Sequence, residues 1–289
     1  MSAVESSMVS DGARCMWCGR GYPPAKPSQE HVLPDYLGVS VTLPEDMVCQ
    51  DCNHLLNREV DQPFRDSLRF FSALVGVHAS KRPGGGTADV VVQTNVGPLP
   101  ARLSQGVLTF APGRVMPGPE PGMRLFVGTP AEKEALLARL RQDHAVREIS
   151  SGVVDIQGFS GRYKVHGELL RRAVLKAGIN LLALKRPDLL VANAVKTAMR
   201  FVLDSNGTEP DLLCAAEEAF GRNRVDPNAL QPHHVVNVEA QPGGDCWSRF
   251  FLFGGDDIAA GVRLTETWDG PPFLVEETFT ARRKRPTTP

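Results

Sequence analysis

Four cysteines constrain this chain more than any other feature: Cys15 with Cys18, and Cys49 with Cys52, form two CxxC pairs separated by thirty residues. Two residues between cysteines let a tight turn aim both thiolates at one point. Two such turns make a tetrahedral four-sulfur site suited to structural Zn2+. In a reducing compartment such pairs serve as metal ligands rather than disulfides. A segment this short builds little core of its own, so metal binding would contribute folding free energy. Four thiolates leave no open coordination position, which makes the site a staple and not a reaction centre. Cys214 and Cys246 stand apart from both pairs and read as packing residues.

The insert between the pairs carries Glu30-His31-Val32-Leu33-Pro34 and then Tyr36-Leu37-Gly38. The second pair continues as Cys49-Gln50-Asp51-Cys52-Asn53-His54, with Asp61 downstream. This order, CxxCG, EHxxP, LG, CxxCN and a later Asp, resembles the zinc-knuckle branch of the HNH endonucleases over Cys15 to Asp61. The resemblance implies a ββα-metal fold in which two strands and a helix grip one divalent cation.

Hydrolysing a phosphodiester needs a base to activate water, and histidine titrates near neutral pH. The resemblance puts His31 in that role. It also implies a catalytic Mg2+ or Mn2+, a class of ion suited to hard oxygen ligands, with Glu30 and Asn53 holding it. Adjacent side chains on a strand point to opposite faces, so a bend or bulge is expected if Glu30 and His31 share one site. A helix starting at the second knuckle would set Asn53, Asn57 and Asp61 at i, i+4 and i+8 along one face, where Asn57 or Asp61 could orient water, bind the metal or fix His31. An ordinary solvated face is the alternative for Asn57 and Asp61. His54 would replace Asn53 as ligand if the helix were rotated by one residue. The middle asparagine common in the family has no counterpart before the second CxxC, which leaves Asp46 or another group to orient His31.

Beyond the knuckles, Lys81-Arg82-Pro83-Gly84-Gly85-Gly86 lacks the Lys-Ser/Thr of a phosphate loop and reads as a linker. The chain is therefore expected to divide into a nuclease module at 13–80, a linker at 81–87, a larger α+β domain at 88–280 and a basic tail at 281–289. In the larger domain a hairpin is expected from 89–93 and 106–110. Strands follow at 124–127 and 153–159, and helices at 129–141, 168–184, 189–203 and 211–220. Antiparallel strands close the chain at 234–240, 246–253 and 258–265. There is no internal repeat.

The net charge of −1 hides two opposed blocks. Residues 161–203 hold nine Lys/Arg against two Asp/Glu, whereas 204–280 hold four against fourteen. Phosphate contacts supply most sequence-independent affinity for nucleic acid, so Arg171, Arg172 and Lys176 become the expected backbone contacts. Their apolar neighbours Ala173, Val174, Ala177 and Leu181 would pack on one helix face and leave the arginines free. Neither a secretory signal at 1–12 nor an uncharged membrane-spanning run is evident, so a cytoplasmic protein with no membrane partner is expected.

These features lead to a metal-dependent endonuclease acting on nucleic acid, DNA by resemblance, in bacterial defence or mobile-element biology. A homodimer would supply two sites for double-strand cleavage. Two other readings stand beside it: a catalytically degenerate zinc module that docks nucleic acid or protein, and an effector whose C-terminal domain senses a ligand and controls the nuclease.

Overall fold

The computed structural model describes residues 13–77, 87–95, 97–104, 106–110, 114–117, 124–143, 156–160, 167–205, 209–213, 230–254 and 259–282. The fold is α+β. β1 (Pro27–Ser28) pairs antiparallel with β2 (Val48–Cys49), and α1 (Gln50–Leu56) starts directly after Cys49. Residues 27–56 thus form the two strands and helix implied by the resemblance. A π-helical turn, Asn57–Asp61, joins α1 to α2 (Gln62–Val75). Such a turn adds a residue to the helical repeat. It therefore breaks the expected single face carrying Asn53, Asn57 and Asp61.

The next layer is a four-stranded antiparallel sheet. β3 (Thr87–Thr94) pairs with β4 (Gly97–Ser104), and β4 with β5 (Val107–Phe110). The expected hairpin of 89–93 with 106–110 is corrected here, since β4 lies between those strands. Pro98 and Pro100 disguise β4 in the sequence. Among the described residues β5 covers only Ala101–Ser104, so the proline end of β4 is locally an edge there, where proline is tolerated. Val90, Val92, Ala101 and Leu103 alternate inward and pack on Ala73 of α2. β6 (Arg114–Pro117) and β7 (Arg124–Val127) make a separate antiparallel pair. α3 (Pro130–Asp143) opens as its sequence predicts, with a reciprocal cap. Thr129 N–H donates to Glu132 Oε2 at 2.8 Å, and Glu132 N–H donates to Thr129 Oγ1 at 3.3 Å. β8 (Ile156–Ser160) completes the four-stranded sheet beside β3.

α4 (Gly167–Lys185) lies at the centre of the molecule. Leu170 and every residue from Arg172 to Ala183 are buried, because the helix is covered by α2 and the π turn on one side and by the C-terminal sheet on the other. A helix covered all round has no free charged face, which corrects the one-sided packing expected from periodicity. A short 3₁₀ turn (Pro187–Val191) precedes α5 (Asn193–Asp204), so the helix expected from residue 189 begins four residues later. β9 (Leu212–Leu213) is a strand where a helix over 211–220 was expected; residues 214–220 lie outside the described residues. It joins β10 (His233–Ala240), β11 (Cys246–Phe251), β12 (Ala259–Thr265) and β13 (Phe273–Thr280) in the antiparallel order β13-β10-β11-β12-β9. Sequence reading missed β13, whose Glu276 and Glu277 and preceding prolines resemble a loop. Its edge position explains them.

One hydrophobic core contains side chains from Cys15 to Val77 and from Leu170 to Ala281. The expected linker at 81–87 falls mostly outside the described residues, and the core joins the segments on either side of it.

Candidate functional site

Cys15, Cys18, Cys49 and Cys52 bring their sulfurs together within 4.8 Å of one another. Cys18 Sγ and Cys49 Sγ stand 3.7 Å apart, against about 3.8 Å for two sulfurs of a tetrahedral site with Zn–S bonds of about 2.3 Å. Cys49 N–H donates to Cys15 Sγ at 3.3 Å, as a backbone amide does toward a thiolate. A hydrogen bond from Cys52 first of all, opposed by burial, draws the Cys15 thiol down to about 4, while burial pushes the Cys49 thiol up and the bond to Cys15 pushes the Cys52 thiol up. Arg20 caps the cluster from solvent: Nε lies 3.3 Å from Cys18 Sγ, while Nη2 lies 3.6 Å from Cys49 Sγ and 2.8 Å from Asp51 Oδ2. Its single positive charge offsets part of the −2 that four thiolates would leave around Zn2+. The donor set fits Zn2+.

Glu30 and His31 lie on an extended segment that bends just after them, at Val32 and Leu33. Leu43 N–H donates to Glu30 O at 2.8 Å and Val32 N–H to Val41 O at 3.0 Å, around a His31–Thr42 bridge. Extended geometry sends neighbouring side chains to opposite faces. Glu30 points inward and is 3% exposed, whereas the His31 side chain is 25% exposed. The bend at Val32 and Leu33 follows the pair and leaves the two side chains differently buried. His31 Nε2 instead stands 3.9 Å from Asp35 Oδ1, a residue the sequence reading passed over although its i+4 spacing was visible. Asp46 sits in the turn before β2.

Inside, Glu30 meets α4. Lys176 Nζ lies 2.7 Å from Glu30 Oε1, and 2.8 and 2.6 Å from the two Asp61 oxygens. One turn on, Asn180 Nδ2 lies 3.4 Å from Glu30 Oε1 and donates to the His31 carbonyl at 2.9 Å. Burial pushes the Glu30 carboxyl up, with the Lys176 charge opposing it. Burial also works against the Lys176 charge, but Asp61 and then Glu30 outweigh it and hold the ammonium protonated.

The residues expected on one helical face separate. Asn53 Nδ2 donates to Ser28 Oγ at 2.8 Å and to Gln29 O at 2.7 Å, tying α1 to the strand that leads into His31. His54 and Asn57 are exposed, and Asp61 turns to Lys176. The expected phosphate contacts are also corrected. Lys176 is 2% exposed. Arg172 is buried and donates from Nε to Val202 O at 2.9 Å, satisfying a carbonyl near the end of α5. Arg171 pairs with Glu209 at 2.6 Å and donates to Pro210 O at 2.7 Å. Much of the basic block is thus neutralised by the protein itself, including Lys185 by Glu277 and Arg186 by Asp188.

Residues 15–69 match the family model described as HNH endonuclease. The HNH match covers the whole stretch whose motifs carried the resemblance. No curated protein and no solved structure matches the chain. Of the two ligands that the HNH resemblance offers a catalytic Mg2+ or Mn2+, Glu30 does not fit. Its carboxylate faces the core, away from the His31 ring, and already holds an ammonium and an amide.

Proposed function

We propose that residues 13–77 form a zinc-stapled nuclease module that hydrolyses phosphodiester bonds in nucleic acid, DNA by family resemblance, with His31 as general base. The observation that carries this reading is the partly exposed His31 ring, on the segment bridged to Thr42, inside the HNH match. The ring takes a proton from water, and Asp35 Oδ1 stands 3.9 Å from its Nε2. That carboxylate is close enough to favour the imidazolium that forms. The zinc knuckles hold the His31 segment and α1 in register, and Asn53 fastens one to the other.

The test is nicking of supercoiled plasmid by wild type and His31→Ala at equal zinc content, with Mg2+, Mn2+ or EDTA present. A positioned base contributes about 10²–10⁴-fold, so His31→Ala is expected to lose at least two orders of magnitude in rate. Equal cutting by both proteins would remove His31 from the mechanism. A second reading, a zinc-stapled docking module without catalysis, is favoured by the sequestration of Glu30. It wins if wild type binds DNA but cuts none under any of these conditions.

A further inference from the structure

The cluster of Lys176, Glu30, Asp61 and Asn180 lies where the resemblance places a metal-binding carboxylate, yet the ammonium in it already has a full set of partners. An ammonium has three donors, and here three carboxylate oxygens stand within 2.8 Å of Lys176 Nζ. These residues come from three elements far apart in sequence: the His31 segment, the π turn and α4. Lys176 is flanked along α4 by the buried Leu175 and Ala177. A divalent ion entering between Glu30 and Asp61 would have to part that buried ammonium from both of its carboxylates. Lys176 and Asn180 are four residues apart, hence on one face of α4. Together they hold Glu30 by its side chain and His31 by its carbonyl.

We propose that the Lys176 ammonium is the resident cation of the Glu30–Asp61 pair and that, with Asn180, it makes α4 the clamp that positions His31. Glu30 is then a positioning residue and not a ligand of a divalent ion. The positioning of a base rests on the function proposed above; the identity of the cation does not.

Two measurements on the full-length, zinc-loaded protein test this. In the first, Mn2+ binding is followed by electron paramagnetic resonance. Wild type and Glu30→Gln are expected to bind Mn2+ alike. Lys176→Met is expected to gain a Mn2+ site that Lys176→Met/Glu30→Gln loses again. A wild-type Mn2+ site that vanishes in Glu30→Gln overturns the proposal, as does a folded Lys176→Met that gains none. Should Lys176→Met fail to fold, the comparison of wild type with Glu30→Gln decides. In the second, Asn180→Ala is expected to lower kcat for plasmid nicking about tenfold or more with KM unchanged, as misplacement of a base does; unchanged kcat overturns the clamp. A wild type that cuts nothing sinks the proposed function, and the Mn2+ comparison still settles the identity of the cation.

Discussion

His234 shows what a single side chain does for this fold. Fully buried on β10, it donates from Nε2 to Leu37 O at 3.0 Å and accepts at Nδ1 from Phe253 N–H at 3.2 Å. Only the neutral ring can do both. Burial accordingly lowers its pKa to about 4. The unfolded chain, titrating near 6.5, binds the proton more readily. The stability contributed by neutral His234 is therefore present in full above about pH 6.5 and is lost as the pH falls through about 4. A shift of this size corresponds to about 3 kcal/mol. Urea midpoints measured at intervals between pH 7 and pH 4 should fall in wild type, and less steeply in His234→Gln. Equal slopes would show that other groups carry the acid sensitivity. Nothing around His234 in the sequence marked it, because its partners are two backbone groups, one of them nearly two hundred residues away. His31 was legible for the opposite reason: its neighbours Glu30 and Pro34 are local.

Among the elements, α4 departs furthest from its sequence pattern. Periodicity located its span to within a residue at each end, but burial on every side could not be read from one helix alone. Gly178 marks the closest approach. A Cβ there would stand 2.1 Å from Ser248 Oγ and 2.9 Å from Ser248 Cβ, while Ser248 Oγ donates to Val174 O at 3.0 Å. Gly178→Ala should therefore destabilise the protein by about 1–3 kcal/mol, the usual cost of overpacking, despite alanine's better helix propensity. Urea unfolding reads this directly, and a neutral or stabilising result would mean that β11 yields freely. The Leu37–Gly38 turn docks in a similar way. Gly38, at φ 81°, accepts from Arg282 N–H at 3.0 Å, and a Cβ would stand 2.9 Å from that nitrogen. The strands β4 and β13 were lost to sequence reading because prolines and charges that signal loops are also what edge positions tolerate.

At the scale of the whole molecule, the HNH segment and the C-terminal sheet enclose α4 between them and share one core. This arrangement joins part of the opposed charge blocks: Arg171 and Lys185 meet Glu209 and Glu277, and Lys176 meets Glu30 and Asp61 of the knuckle module. Lys196 and Arg200 remain exposed one turn apart on α5, which packs beside α1. If nucleic acid lies along the knuckle helix, they are the cations placed to meet its phosphates. Lys196→Ala/Arg200→Ala should weaken DNA binding and make the slope of log K against log salt shallower by about 1.8. An unchanged slope would place the backbone elsewhere. Among the described residues, no helix is long and apolar enough to cross a membrane. By itself the sequence determined the four-cysteine cluster, the HNH likeness and the place of His31 in its motif, because each depends on spacings within a few turns of chain. Only the tertiary structure decided that Glu30 and Asp61 face an ammonium and that Arg172 and Lys176 are interior. Those facts arise from contacts more than a hundred residues apart in the case of Lys176, and no local pattern encodes which charge a buried carboxylate will meet.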